Sequence, residues 1–321
     1  MINMKFIYVI TSSDKDFYLE QAILSMFSLR LHNEDAEIIV LTDNRTIKSL
    51  INGREQIKQY VNDIIEINVP EIYTPMQRSR FIKTSMRQYV DGDFMFIDTD
   101  TIITDKLSGD YDGDVMAVLD KHVHIFEHPE RKEIRKIAEK INWKIPKNDV
   151  YFNSGVMFVR DSRVSHKLFT DWHSNWLKGI EQYNINIDQP MLALANANNS
   201  YIIKELPGEY NCQIVENGIK YLSKSKLIHY FASGVDSSWT CPYIFRDKKI
   251  YDIIKKEGIT SELNKLILNG REAFRNKCLI LGGEATDIYG LPLVSIARRI
   301  SRKYPSINRL LYWIFKVVGR I

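Results

Sequence analysis

The sequence predicts an α/β protein with a doubly wound, mixed but mainly parallel sheet flanked by helices. Three observations carry this expectation. Over the first hundred residues, short β-branched runs alternate with helical patterns, the signature of βαβ units whose strands are buried on both faces. The runs end in polar residues, Thr11 and Ser12, Thr42 and Asp43, Asp98 and Asp100, and in such sheets ligands bind beyond the carboxyl ends of the strands. The apolar runs are also short, and none approaches the roughly 18 residues of a membrane-spanning helix.

Taken in order, "KFIYVIT" is expected as the first strand, because its apolar core from Phe6 to Ile10 is shorter than that of a signal peptide. A helix over 18–31, the strand "AEIIVLTD", a helix over 47–61, the strand "IIEINV", a helix over 78–90 and the strand "FMFIDTD" follow. After the strand "DVMAVLD", the polar stretch 122–150, with Pro129 and Pro146, reads as a lid or substrate-facing excursion. The strand "YFNSGVMFVR", a helix over 166–179, the run "NINIDQPMLALAN" and a last short strand "SKLIHYF" come next. Helical pattern continues to about residue 270, and Pro292 and Pro305 divide the end of the chain into two amphipathic pieces. The expected division is a catalytic domain over 1–240, a helical extension over 241–290 and a basic tail over 291–321.

With 45% hydrophobic and 26% charged residues in 321, the chain falls outside the disordered and fibrous classes. Cys212, Cys241 and Cys278 are odd in number and widely spaced, so neither a disulfide framework nor a CxxC metal pair is expected, and a reducing cytoplasm fits. Arg298, Arg299, Arg302, Lys303, Arg309, Lys316 and Arg320 give the tail seven cations and no acid, against +4 for the whole chain. The remainder is therefore net acidic, which argues against a nucleic-acid groove spread over the fold. The tail's cations alternate with Ile, Leu, Trp and Phe, the composition of helices lying in an anionic membrane interface. Packing of those helices on protein is the other reading.

Asp98 and Asp100 break the apolar run "FMFIDTDTII". Residues i and i+2 of a strand share a side, so the two carboxylates can converge where the chain is still extended. Two readings stand: turn aspartates closing a strand, or a pair that holds a hard divalent cation such as magnesium or manganese. Phosphatases of the haloacid-dehalogenase type also carry DxDx(T/V) with a later GDxxxD, and "GDYDGD" spans 109–114. That motif follows too closely, and about ninety residues of α/β pattern precede the first. A sugar-nucleotide pyrophosphorylase would need a glycine-rich first loop, whereas "VITSSDKDFY" has no glycine.

Taken together, "IYVITSSDKDFYLEQAILSMFSL", "IIVLTD", "RSRFIKTSMRQYVDGDFMFIDTDTIITDKL", "YFNSGVMFVR", "NIDQPMLALA" and "LIHYFASG" resemble glycosyltransferase family 8 over residues 5 to 240. The family comprises GT-A-fold enzymes that use nucleotide sugars and retain anomeric configuration. The resemblance implies a metal site of Asp98, Asp100 and His229 loaded with Mn2+ or Mg2+. It also implies a donor site of Thr11, Ser12, Tyr18, Asp43, Arg80, Lys83, Thr99, Asn153, Ser154, Gly155 and Gly234, with Asp14 or Asp16 as further candidates. Asp188 and Gln189 match the pair beneath the anomeric centre.

Arg80, Lys83 and Arg87 are expected on one helix face, with Arg87 on its solvated part. Where the family has Lys-Pro-Trp, this chain has Ser237 and Ser238 before Trp239, which removes a cation from the donor phosphates. His122, His124 and His128 are expected in a solvated or acceptor-facing loop. The implied partners are a nucleotide-sugar donor, a saccharide or glycolipid acceptor and an anionic membrane surface beneath 291–321.

Overall fold

A computed structural model describes residues 4–214, 217–231, 243–275 and 291–318. The chain divides into two compact units, Met1–Cys278 and Leu279–Ile321. The first is built on a seven-stranded sheet of β1 (Lys5–Ile10), β2 (Glu37–Asp43), β3 (Asp63–Ile67), β4 (Phe94–Ile97), β6 (Val115–Leu119), β7 (Phe152–Val159) and β8 (Ile203–Glu205). Their order is β3-β2-β1-β4-β7-β6-β8, with β7 antiparallel to both neighbours and the other pairings parallel. The expected mixed, mainly parallel sheet is present. A second sheet joins β5 (Thr101–Ile103), β9 (Cys212–Gln213) and β10 (Leu227–His229) in the order β5-β10-β9.

The strands β4 and β7 are buried along their whole length, because helices cover both faces of the sheet. On one face α1 (Tyr18–His32) packs with α7 (Lys248–Glu257) and α8 (Ser261–Leu268). Leu19, Ile23, Tyr243, Phe245, Tyr251 and Ile254 share that core, so residues 243–275 complete the sheet unit. The other face carries α3 (Pro75–Ser85), α4 (Arg131–Lys140), α5 (Arg163–Tyr183) and α6 (Gln189–Asn198) around Trp172 and Trp176.

Several elements differ from the sequence expectation. In place of one helix over 47–61 there is α2 (Asn44–Ser49), capped by the Asp43 carboxylate accepting from the Thr46 amide, then a 3-10 stretch, Asn52–Gln59. Ile51 between them is extended, and Gly53, two residues on, lowers the helical preference further. The third helix starts earlier than 78, at Pro75, where Thr74 and Gln77 form a reciprocal capping box. It ends at Ser85 and tightens into a 3-10 turn, Met86–Gln88. That turn carries Arg87 inward: it is 2% exposed, its guanidinium lies 2.9 Å from Asp161 and it donates to the Gly92 carbonyl. Arg87 is thus a buried structural cation and not part of a solvated face. The helix expected over 166–179 is longer, from the Ser162 capping box to a left-handed Asn184.

The stretch 122–150 contains α4. His124 is exposed, but His122 and His128 are buried, against the expectation of a solvated loop. His128 Nε2 bonds to Asp120 at 2.9 Å, and His122 Nε2 accepts from the Gln213 amide at 3.2 Å. A buried carboxylate acceptor and a buried backbone donor thus hold the two rings inside.

The second unit contributes α9 (Pro292–Lys303) and α10 (Pro305–Val318), each opened by its proline. Leu293, Ile296, Ile307, Leu310, Trp313 and Ile314 are exposed on them. Among the described residues no helix is long and apolar enough to cross a membrane.

Candidate functional site

The carboxyl ends of β1, β4 and β6 open into a cavity of about 490 Å3. Its floor forms where the chain leaves the large sheet for the small one. β4 ends at Ile97, residues 98–100 bend, and β5 begins at Thr101. The two aspartates therefore converge across a bend and not along an extended strand. The Asp98 amide donates to the Gly155 carbonyl at 2.7 Å, continuing the antiparallel β4–β7 register. β10 pairs antiparallel with β5 so that His229 stands opposite Thr101. Three segments far apart in sequence thereby meet, and one ligand atom from each of Asp98, Asp100 and His229 lies within 4.8 Å of the others.

Gly155 is required at this point by space. A Cβ there would lie 2.6 Å from His229 Cε1 and 2.7 Å from Asp98 Oδ2. Burial pushes the Asp98 carboxyl up, the Lys83 ammonium opposes this and the neighbouring Asp100 adds to it. A carboxylate pair plus an imidazole in so small a space is a donor set suited to a hard or borderline divalent cation, and it fits Mn2+ or Mg2+.

The opposite wall is cationic. Arg80 and Lys83 lie one turn apart on α3 and converge on Asp188, which immediately precedes α6. Arg80 Nε is 2.9 Å from Asp188 Oδ1, and Lys83 Nζ is 3.6 Å from Asp188 Oδ2 and 3.3 Å from Asp98 Oδ1. Ser154 donates its hydroxyl to Asp188 Oδ2 at 2.9 Å. Burial alone would raise the Asp188 pKa, but Arg80, then Lys83 and the Ser154 hydroxyl, hold it down to about 2. Asp188 is an ionised, buried carboxylate facing the cavity. Gln189 Oε1 accepts from the Ser154 backbone amide at 3.3 Å.

Of the residues singled out in the sequence, Thr11, Tyr18, Arg80, Lys83, Asp98, Thr99, Asp100, Asn153, Ser154, Gly155, Asp188, Gln189 and His229 line this cavity. Tyr18 is 41% exposed and so is a wall of the cavity instead of packing in the core. Ser12 and Asp43 lie behind the wall. Ser12 bonds Thr46, Asp16 and Arg54, while Asp43 caps α2 and pairs with Arg78. The Asp16 carboxylate is spent on Ser12 and Ser13 in its own loop. Gly234, Ser237, Ser238 and Trp239 lie outside the described residues.

The cavity also contains residues that the sequence pattern did not single out. Glu130, Glu133, Ile134 and Ile137 enter from the start of α4 and its first turns. Phe231 stacks on His229 with ring centroids 4.0 Å apart, and Lys121 Nζ lies 4.6 Å above the Phe231 ring. Asp120 ends "DVMAVLD", the same signal of a carboxylate closing an apolar strand that marked Asp98. Asn211, buried behind His229, has no comparable signal.

The fold and site together define a class: a doubly wound sheet with an acidic cation cradle and a buried, cation-held carboxylate in one crevice. No protein-family model matches the chain, and no curated protein matches its sequence. Among solved structures it is similar to the glycosyltransferase GlyE of Streptococcus pneumoniae TIGR4, at 14% identity and TM-score 0.49, covering 87% of this chain and 66% of that one. It is similar to the galactosyltransferase LgtC in complex with donor and acceptor sugar analogs, at 13% identity and TM-score 0.48, over 86% of this chain and 98% of that one. Mouse xyloside xylosyltransferase 1 in its apo form matches at 12% identity and TM-score 0.47, over 72% and 98%.

Proposed function

We propose that the chain is a retaining glycosyltransferase of the GT-A fold that moves a hexose from a UDP-sugar to a saccharide or lipid-linked acceptor. The observation that carries the reading is the meeting of Asp98, Asp100 and His229 within 4.8 Å in a cavity that also holds Asp188 between Arg80 and Lys83. The difficulty of sugar transfer is that a nucleoside diphosphate gathers negative charge as it departs, while positive charge develops on the sugar ring. Asp98, Asp100 and His229 would hold Mn2+ or Mg2+, which supplies Lewis-acid neutralisation of the leaving diphosphate.

The other roles follow from position. Thr11, just after β1, and Tyr18, the first residue of α1, border the part of the cavity suited to the nucleobase. Arg80 and Lys83 set the charge and orientation of Asp188. That carboxylate, ionised and buried, stabilises the developing positive charge electrostatically. Gln189 supports the same position with its amide, and because it is a poor nucleophile the reading favours attack by the acceptor on the face the diphosphate leaves. The acceptor's proton then goes to the departing phosphate. Glu130, Glu133 and Lys121 border the side left for the acceptor.

The tail suits a membrane-surface anchor, and on this reading the acceptor is a lipid-linked saccharide at the inner leaflet. Exposed Leu293, Ile296, Leu310 and Trp313 would enter the interface while Lys303 and Arg309 meet anionic headgroups.

The test is a screen of UDP-sugars for hydrolysis with and without manganese. Metal-dependent release of UDP from one of them is expected. Binding of a UDP-sugar without turnover would instead assign a silent nucleotide-sugar-binding protein.

A further inference from the structure

His229 is held from behind by a chain of buried polar groups in which each member has a single workable orientation. The chain starts at Asp120. His128 Nδ1 accepts from the Glu130 amide at 3.0 Å, so the proton of that ring is on Nε2 and donates to Asp120 Oδ2 at 2.9 Å. Burial raises the Asp120 pKa, but the His128 hydrogen bond and Lys121 lead a set of partners that bring it below the ordinary value. An ionised carboxylate only accepts. The Asn153 amide nitrogen therefore faces it, Nδ2 to Oδ1 at 2.8 Å.

A backbone donor fixes the other end of Asn153 independently: the Gly155 amide donates to Asn153 Oδ1 at 2.9 Å. That oxygen also receives Asn211 Nδ2 at 3.0 Å. With its nitrogen committed, Asn211 turns its own oxygen to His229 Nδ1, 3.1 Å away. An amide oxygen cannot donate, so Nδ1 must carry the ring proton. In the neutral ring Nε2 is then a bare lone pair at the cavity floor, 3.1 Å from Asp100 Oδ1, and two acceptors at that distance call for a cation between them. Asn211 is fully buried and Asn153 nearly so, which leaves water little access to offer either amide an alternative partner.

We propose that Asn211 is a positioning residue which, oriented through Asn153 by Asp120 and the Gly155 amide, fixes His229 as the Nδ1–H tautomer and presents Nε2 to a cation. The proposal deepens the metal reading above, on which only its second half rests. Its physical sense is that a ligating histidine needs its second nitrogen satisfied to hold the tautomer and ring angle, and loss of such a partner typically costs about 10- to 100-fold in metal affinity. The relay reaches back to the end of β6 and so ties the small sheet's histidine to the large sheet.

The experiment has two readouts. In metal-free, 15N-histidine-labelled protein, titrated until the His229 shifts stop changing so that the ring is neutral, two-bond 1H-15N spectra report the tautomer. Nδ1–H is expected in the wild type, and Nε2–H there would overturn the proposal whatever the variants do. Asn211→Leu removes the acceptor and is expected to mix the tautomers and to weaken Mn2+ binding, followed by electron paramagnetic resonance, by about 10-fold or more. Asn211→Asp keeps an acceptor towards Nδ1 and is expected to restore the single tautomer.

An Asn211→Leu protein that is folded, singly tautomeric and unchanged in Mn2+ affinity would overturn the relay. Wild-type protein that shows the Nδ1–H tautomer but takes up no Mn2+ would leave the relay standing and remove the metal reading. If Asn211→Leu does not fold, the wild-type tautomer still decides.

Discussion

Arg80 Nε lies 2.9 Å from Asp188 Oδ1, and this pair sets the charge of the carboxylate proposed to face the sugar. Asp188 is 4% exposed, and burial alone would favour its neutral form. Arg80→Ala should therefore raise its pKa and reduce donor hydrolysis by roughly 10²- to 10³-fold, the usual cost of losing one preorganised electrostatic group. Arg80→Lys should recover only part of this, because it lacks the planar guanidinium. Steady-state kinetics on the responsive UDP-sugar checks both.

Asp98→Asn should abolish metal-dependent transfer and leave the fold intact. Asp98 is half-buried at the cavity floor and its main chain is held by the β4–β7 register, so removal of the charge spares the strand. Circular dichroism and Mn2+ binding on the same sample separate the two effects. Normal transfer by this variant with manganese present would sink the metal reading.

Gly155→Ala should impair the cation cradle more than the sheet. The added methyl would meet the ends of side chains, His229 Cε1 at 2.6 Å and Asp98 Oδ2 at 2.7 Å, which can move only by leaving their convergent positions. Mn2+ affinity is expected to fall while the thermal unfolding midpoint changes little. A variant that binds Mn2+ as the wild type does would contradict the steric argument.

Stability should fall in acid through His122. Burial, with Lys220 adding to it, lowers its pKa from 6.5 to about 3, and the neutral Nε2 accepts the Gln213 amide. Between those values the unfolded chain takes up a proton that the folded one refuses, so stability is full above pH 6.5 and is lost as pH drops towards about 3. The contribution is at most about 5 kcal/mol. Burial lowers His32 and His173 as well, so the slope is shared. Urea unfolding across this window should be flatter in His122→Gln, whose side-chain oxygen can accept the same amide.

Deletion of 291–321 should release the protein from vesicles containing anionic lipid and leave donor hydrolysis unaltered. Cosedimentation at low and high salt is the measurement, since attraction of cations to headgroups is screened by salt. Equal binding by full-length and truncated protein would remove the tail from the membrane reading.

Local pattern made the strands and their polar ends legible. Period and composition identified β1, β2, β4 and β7, and helix caps such as Ser162 and Thr74 show why some boundaries fell earlier than expected. Arg87 illustrates the limit. Helical spacing puts it with Arg80 and Lys83, yet the 3-10 turn after Ser85 takes it to Asp161. The buried His122 and His128 were similarly invisible, because their partners Gln213 and Asp120 come from other elements.

By itself, the sequence determined that two carboxylates close a central strand and that polar groups gather at the strand ends, since alternation and burial are short-range properties of the chain. Only the tertiary structure decided which groups meet. The β5–β10 pairing brings His229 to Asp100 across 129 positions of sequence, α3 and the residue preceding α6 bring Arg80 to Asp188, and Asn153 and Asn211 orient the imidazole from behind. Those relations depend on strand register and helix packing between distant segments, where a one-residue slip would turn each side chain to the opposite face.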